Sequence, residues 1–527
     1  MGIYVNPGTN SLEINMGGKI YVDKSLILTV LNEKFRTEDR FMCVSRPRRF
    51  GKTMVGNLIS AFYSRGADSR AIFEKLLIAK EKGWDERLNK CNVIKIDLGE
   101  FYSWYVKRGS IIQHMVDDII DEMIREFPDV NIQKDWPLAK AIINVYNATN
   151  VPFVLIIDEY DVLVREQVPK AEFDEYLELL NGLFKGSGCG NALALAYITG
   201  IMPIVRDRVQ SKLNVFDEFT MLAPQELAPY IGFTIDEVKD LCAKHKIDYD
   251  ECLRWYDGYR ITPEVSICNS NSVCKAISTR KFANYWNRTG AYSVISEYIR
   301  MDFDGIKRDL ATMVGGGSVP AKVTTFTNVL SDLGDKNKVF TYLTHLGYLV
   351  YDEATGTCRI PNGEIRDEWE SAIEDMKDMS KTIEMIRNSE DLLEATLECD
   401  EAAVADALDK AHEYVTSAKT YNNEGSLQSA VGLAYFSATS RYDINKELAG
   451  GRGFADIAFK PYVPGAPGII IELKMDQPPE VGLAQIKKKG YIRALGSYTG
   501  PVYLVAISYG KESKEHSCKI EVVEKKD

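Results

Sequence analysis

Histidine is scarce in this sequence, and its cysteines are not paired. Five His and ten Cys occur in 527 residues, and no two cysteines form a Cys-x2-Cys pair. Neither a zinc site nor a disulfide framework is expected, and the thiols read as reduced, mostly buried and cytoplasmic. Positive charge is not in excess. With 64 Lys and Arg against 76 Asp and Glu, the net charge is −12, which argues against a globally basic nucleic-acid coat but leaves room for a local basic cleft. No run approaches the ~18 consecutive apolar residues of a membrane helix, so no membrane partner is expected. The start, MGIYVNPGTN, has neither a basic n-region nor an apolar h-region, so it does not read as a secretory signal. Gly2 is not followed by Ser or Thr at position 6, which weakens a myristoylation reading. No internal repeat is visible.

Hydrophobic residues make up 45% of the chain and charged residues 27%, which is ordinary for a soluble globular protein, and the length suggests two to four domains. Over 1–230 short apolar runs alternate with amphipathic stretches, the α/β pattern of a buried parallel sheet. The runs are FMCVS (41–45), NVIKIDL (92–98), FVLIIDE (153–159) and LALAYITG (193–200). Residues 225–300 read mostly as helices, interrupted at WYDGYRI (255–261). A glycine-rich joint, MVGGGSVP (313–320), precedes a helix–helix–strand–turn–strand pattern over 325–366 that is winged-helix-like. Residues 367–420 are acidic and helical, and α/β patterning returns from about 421.

SRPRRFGKTM (45–54) follows the first strand and opens a helix, the context a phosphate-binding loop requires. Backbone N–H groups at a helix N-terminus bind phosphate oxygens. Lys52 would reach the β- and γ-phosphates, and the Thr53 hydroxyl would hold Mg²⁺. The head of the loop departs from the pattern, with Arg46, Pro47, Arg48 and Arg49 where a first glycine belongs. A bare Gly-Lys-Thr proves little; the second half is FVLIIDEYD (153–161). An acid at the C-terminal end of a parallel strand lies where α/β sheets bind ligands. Asp158 would anchor the Mg²⁺ water shell, and Glu159 would polarise the attacking water. Thr199 is a candidate γ-phosphate sensor. Arg206 and Arg208 could add positive charge in the transition state, or form a solvated basic helix end.

MGGKIYVDKSLIL (16–28), SRPRRFGKTM, FVLIIDEYD, ITGIMPI (198–204), WYDGYRI and the stretch Asn269 to Ser272 resemble the AAA-ATPase-like family of bacterial and archaeal proteins. The resemblance spans roughly residues 1–300. It implies an ATP-binding core of the P-loop type with a helical lid, and it makes the arginine-rich loop head a family trait. The arginines add fixed positive charge beside the nucleotide, so Arg46, Arg48, Arg49 and Phe50 are expected to join Gly51, Lys52 and Thr53 in holding it, with Arg46, Arg48 or Arg49 on phosphate or on an acidic neighbour. Tyr21, Asp23 and Lys24 become candidates for closing the pocket.

A second constellation lies in GRGFADIAFKPYVPGAPGIIIELKM (451–475). It reads as a hairpin: a strand carrying Asp456, a Pro- and Gly-rich turn, and a strand carrying Glu472 and Lys474. Two residues apart, Glu472 and Lys474 project from one face. Charges on an otherwise apolar strand are costly to bury unpaired. Asp456, Glu472 and Lys474 would be satisfied together around Mg²⁺, or Mn²⁺ in its place. The cation would acidify a water and neutralise a scissile phosphate, with Lys474 positioning or deprotonating that water. This pattern resembles that of the PD-(D/E)xK nuclease superfamily. The resemblance implies that Glu424, at the start of a helix, adds a metal-binding acid. It makes Gln485 an active-site accessory in the following helix LAQIKKKGYI (483–492). Lys487 to Lys489 and Tyr491 could face phosphates. The residue before Asp456 is Ala455, so no Pro-Asp dipeptide is present.

The expected architecture is α/β: a P-loop NTPase-type parallel sheet core over 1–224, a helical lid over 225–312, a winged-helix-like segment over 313–375 and a restriction-endonuclease-like α/β domain over 376–527. The expected function is an ATP-binding, ATP-hydrolysing protein that controls a Mg²⁺-dependent nuclease. DNA is expected ahead of RNA as its substrate, in mobile-element or phage defence or in DNA repair. The alternative is a nucleotide-dependent switch or scaffold that binds nucleic acid or protein without cutting; a pure ATPase motor is a third reading. Family ATPases often self-assemble, but no heptad pattern here demands it.

Overall fold

The structure is a computed structural model. It describes residues 2–204, 215–262, 264–286, 306–314, 317–323, 335–374, 380–415, 424–450, 453–462, 465–495, 498 and 500–524. The chain divides into two compact units. The first comprises Met1–Asn287, Ala321–Gly356 and Pro361–Ile365, and the second Arg288–Pro320, Thr357–Ile360 and Arg366–Asp527. The stretch expected to stand alone as winged-helix-like is thus shared between the two. Its first expected helix lies outside the described residues; its second is Lys336–Leu346, followed by short strands Val350–Asp352 and Thr357–Arg359.

The first unit is built on a five-stranded parallel sheet: β1 (Phe41–Ser45), β2 (Asn92–Asp97), β3 (Phe153–Asp158), β4 (Leu193–Gly200) and β5 (Asp217–Phe219), in the order β2-β3-β4-β1-β5. Burial on both faces explains why β1, β3 and β4 read as near-continuous apolar runs rather than alternating; every residue of these three is buried, whereas β2 carries the half-buried Lys95 and Asp97. β5 has three residues and no apolar run to announce it. The register sets Asp97 beside Asp158, Asp158 beside Thr199 and Thr199 beside Val44, so the polar strand ends form one row.

Helices cover the sheet: α1 (Lys52–Tyr63), α2 (Leu98–Tyr105), α3 (Ile111–Glu126), α4 (Leu138–Thr149) and α5 (Lys170–Phe184). Apolar residues recur at helical spacing along α3, and Ile112, Met115, Ile119 and Met123 join the core. The outer edge at β2 is closed by the N-terminal residues. Val5 bridges Ile94 antiparallel, and the Glu122 carboxylate accepts the amides of Ile3, Tyr4 and Val5 at 2.6, 2.6 and 2.7 Å.

The lid contains α6 (Ile235–His245), α7 (Tyr249–Tyr256) and α8 (Ser270–Thr279) around three short antiparallel strands, Phe233–Thr234, Tyr259–Arg260 and Ser266–Cys268. Thr234 and Glu237 form a reciprocal capping box at the start of α6. Asn269 caps α8 by accepting the amides of Asn271 (3.0 Å) and Ser272 (3.2 Å). WYDGYRI, a break in helical patterning, is the end of α7 and the strand Tyr259–Arg260.

The second unit ends in a mixed five-stranded sheet in chain order: β6 (Tyr442–Gly450), β7 (Gly453–Pro461), β8 (Gly468–Met475), β9 (Pro501–Tyr509) and β10 (His516–Glu524). β7 and β8 form the expected antiparallel hairpin. β8 and β9 are parallel, joined by a crossover containing α9 (Pro479–Lys489). The helices Ser380–Leu397, Glu401–Val415 and Glu424–Ala434 contribute Leu392, Leu393, Val404, Leu408, Leu427 and Val431 to the core that includes Ile457, Ile469 and Ile471. All ten cysteines are free thiols, eight of them buried. Among the described residues no helix is long and apolar enough to cross a membrane.

Candidate functional sites

A cavity of about 580 Å³ opens at the C-terminal ends of the parallel strands. It brings together Arg48 to Val55, Asp158, Glu159 and Gly200 with Ile20 to Val22, Lys24, Tyr230, Phe233, Ser270 and Asn271. The loop, the strand-end acids, the N-terminal segment and the lid therefore surround one space, of a size that suits a cofactor-sized ligand.

Gly51 precedes α1 in the left-handed region, φ 91°, which a side chain would resist. Lys52 opens the helix. Its ammonium is buried and donates to the carbonyls of Arg46 (3.0 Å) and Pro47 (2.9 Å). Burial pushes its pKa down to about 8, against the upward pull of Asp158. Thr53 is exposed on the first turn. Burial raises the Asp158 carboxyl, while a hydrogen bond from Thr53 and the charge of Lys52 act the other way. Glu159 adopts φ 51°, uncommon for a side-chain-bearing residue, and its carboxylate takes a 2.9 Å ion pair from Arg165. Arg165 also meets Asp161 at 3.2 Å, and Asp161 accepts the amides of Ile201 and Met202. Thr53 and Asp158 thus offer a hydroxyl and a carboxylate side by side, a donor set that suits hard, oxygen-seeking Mg²⁺.

The loop head divides in two. Arg48, Arg49 and Phe50 line the cavity. Arg46, expected among the nucleotide-holding residues, does not line it. Its side chain is wholly buried, and Nη1 donates to the carbonyls of Ser45 (2.9 Å) and Phe219 (3.1 Å), tying β1 to β5. Its Nε and Nη2 have no hydrogen-bond partner among the described residues, and burial pushes the guanidinium down to about 10. The same charge and burial hold His345 down to about 3. Arg49 lines the cavity with φ 70° and donates to the Tyr285 carbonyl at 2.8 Å. Pro47 packs where a Cβ on Gly347 would stand 2.8 Å from its Cγ. The loop head is thus anchored to neighbouring chain at Arg46, Pro47 and Arg49.

Thr199 is also held away from the cavity. Its buried hydroxyl donates to the Val44 carbonyl at 3.0 Å, because β1 lies beside β4 at that register. Of the N-terminal trio, Tyr21 and Lys24 line the cavity. Asp23 instead accepts the amides of Ser25 (2.8 Å) and Leu77 (2.6 Å). Lys24 is ion-paired with Glu237 at 2.5 Å. Arg206 and Arg208 lie outside the described residues. Sequence reasoning gave no role to Asp97, which ends β2 as Asp158 ends β3, or to Tyr230, and it singled out the stretch containing Asn271 without giving that residue a role; the acid at a strand end was a usable signal for Asp97 alone.

In the second unit, Asp456 Oδ2 accepts the Leu473 amide at 2.7 Å, and Gln428 donates to the Asp456 carbonyl at 2.7 Å. Glu472 is 2% exposed and pairs with Lys474 at 2.8 Å; Lys474 also donates to the Leu473 carbonyl at 3.0 Å. The three residues expected to act together thus lie on adjoining strands around residue 473. Two carboxylates with water suit Mg²⁺. Among the described residues no group of three or more His, Cys, Asp or Glu is placed to hold a metal ion. Glu424 begins its helix, but its side chain lies outside the described residues. α9 lies close over the pair: a Cβ on Gly482 would stand 2.9 Å from the Ala506 Cβ and 3.6 Å from Glu472 Cγ. Gln485 is half-buried and donates to the Tyr491 hydroxyl at 3.3 Å. Tyr491 is buried rather than turned to solvent, and Lys487 is ion-paired with Glu521 at 2.6 Å; Lys488 and Lys489 are exposed.

No curated protein matches the chain significantly. Among solved structures it is similar to the Aeropyrum pernix ORC2 protein in ADPNP–ADP complexes, at 12% identity over 68% of this chain and 96% of that one, TM-score 0.32. It is also similar to the Aeropyrum pernix ORC1 protein in complex with DNA, at 12% identity over 71% of this chain and 98% of that one, TM-score 0.28. Residues 8–210 match the family described as predicted AAA-ATPase, and residues 422–517 match the PD-(D/E)XK nuclease superfamily.

Proposed function

We propose that the chain binds and hydrolyses ATP in the cavity beside Lys52, and that this event governs metal-dependent cleavage of nucleic-acid phosphodiester bonds at Asp456, Glu472 and Lys474. The observation that carries the reading is the gathering of Gly51, Lys52, Thr53, Asp158 and Glu159 around one cavity, on a chain that also holds the Asp456, Glu472 and Lys474 set. DNA is the substrate we favour, and defence against mobile elements or phage, or DNA repair, the setting.

Lys52 leaves its two carbonyl partners to meet the β- and γ-phosphates, and the amides at the start of α1 bind their oxygens. Arg48 and Arg49 add fixed positive charge to the cavity wall. Glu159 accepts a proton from the water that attacks the γ-phosphorus. In the second unit Lys474 positions the attacking water, while Asp456 and Glu472 are the carboxylates that would hold a cation. Thr53 and Asp158 at one site, and Asp456 and Glu472 at the other, would hold a divalent cation, which would supply neutralisation of phosphate charge and a more acidic water.

A second reading, a nucleotide-dependent switch that binds without cutting, is favoured by the Glu159–Arg165 ion pair, which engages the Glu159 carboxylate. Cleavage of labelled DNA and RNA in Mg²⁺ or Mn²⁺ separates the two. Cutting by wild type that Lys474→Ala abolishes supports the nuclease. Equal cutting by both proteins, or none by either, rejects it.

A further inference from the structure

An open aromatic ring stands two residues from Asp456. It is Phe454, near the start of β7, with 63% of its surface exposed. No other aromatic side chain among the described residues is so exposed. A single exposed hydrophobic group is ordinary on a protein surface; its place on the strand sets this one apart. Side chains alternate along a strand, so Phe454 and Asp456 project from the same side of β7, about 7 Å apart. Ala455 between them is wholly buried. The residues opposite the start of β7 are small: Ala449 pairs with Phe454 and Gly450 with Gly453, at the end of the β6–β7 ladder.

Positive charge borders the same strand end. A Cβ on Gly453 would stand 3.1 Å from the Tyr491 hydroxyl oxygen, so the chain leaving α9 packs against the start of β7. Just ahead of Tyr491, in the last turn of α9, Lys488 and Lys489 are exposed. Asp456 in turn reaches β8 through the Leu473 amide, and Glu472 and Lys474 flank Leu473. A protein partner would call for an apolar patch of several hundred Å². One ring bordered by small residues and lysines suits a nucleotide instead, which offers a flat base and a charged phosphate.

We propose that Phe454 stacks on an unpaired base of the substrate and thereby directs the nuclease site to single-stranded nucleic acid. The inference rests on the reading of Asp456, Glu472 and Lys474 as a nuclease site. In a duplex each base face is covered by its neighbours, so only an unpaired base can meet the ring. Every base has a π-face, so the selection is for strandedness and not for sequence. Base and phosphate are common to DNA and RNA. Phe454 takes no part in bond making or breaking.

The test is fluorescence anisotropy of labelled single-stranded DNA, single-stranded RNA and duplex DNA, titrated with full-length Lys474→Ala protein to prevent cutting. Phe454→Ala and Phe454→Leu, added to that background, should each weaken single-strand binding about fivefold or more. Phe454→Trp should restore it, and duplex binding should change less than about twofold. A strand carrying 2-aminopurine should lose fluorescence with Phe454 in place but not with Leu. In the cutting-competent chain, Phe454→Ala should raise KM for single strands more than it lowers kcat. Single-strand binding unchanged in Phe454→Ala, or a loss shared equally by the duplex, overturns the inference; if wild type still cuts, the nuclease reading stands. Phe454-dependent single-strand binding by a wild-type chain that cuts nothing supports the stacking and rejects the nuclease reading. Failure to bind any of the three nucleic acids overturns both.

Discussion

Lys52 is held by two loop carbonyls and pushed down to about 8 by burial. Its folded pKa lies below its unfolded value, so the unfolded chain binds more protons between pH 8 and about 10.5, and this group's penalty to stability is relieved as pH rises through that window. Nucleotide binding works the other way. Triphosphate favours the charged ammonium, so binding takes up a proton above pH 8, and affinity should fall by about tenfold per pH unit there. Calorimetric titration with ATP at pH 7 and pH 9 checks this, and a pH-independent affinity would contradict it. Arg46 makes a different point. Sequence places it in a phosphate loop, yet it supports the sheet under that loop. Nothing in SRPRRF distinguishes the arginine that ties β1 to β5 from the two that line the cavity, because β5 announces itself by no hydrophobic run. Arg46→Ala should lower the melting temperature; Arg48→Ala should weaken ATP binding without doing so.

At the scale of elements, β1, β3 and β4 were legible because burial on both faces writes them as near-continuous apolar runs, and β2 was legible from Val93, Ile94 and Ile96 despite Lys95 among them. The hairpin carrying Asp456 was legible for a related reason: a Pro- and Gly-rich turn separates two apolar strands. β6 and β10 were not, since each mixes charges into an edge strand of the second sheet. The closure of β2 by the N-terminus was also invisible, because it depends on Glu122, a single acid among several on α3. Glu122→Ala would leave three amides without their acceptor, at a cost of about 2–3 kcal/mol, read as a shift of the denaturation midpoint. α9 gives a second prediction of this kind. Gly482→Val should overpack against Ala506 and cost about 1–3 kcal/mol, and it should reduce cleavage by disturbing Glu472 beneath it. Unchanged cleavage by folded Gly482→Val would show that the approach of α9 does not matter to the pair.

For the whole molecule, the two family resemblances were readable from motifs in order along the chain. The boundary expected near 313 and that near 375 follow composition, but the compact units interleave, with Ala321–Gly356 clustering with the first and Thr357–Ile360 with the second. Sequence order does not report such interleaving, because it arises from packing between distant segments. The central claim is that one chain carries an ATPase whose turnover governs a nuclease. The most direct test is a cleavage time course on labelled DNA in Mg²⁺, with and without ATP, for wild type, Lys52→Ala and Lys474→Ala, with phosphate release followed in parallel. The account predicts that ATP changes the cleavage rate of wild type but not of Lys52→Ala, and that Lys474→Ala releases phosphate at the wild-type rate while cutting nothing. Cleavage indifferent to ATP, or surviving in Lys474→Ala, would contradict it.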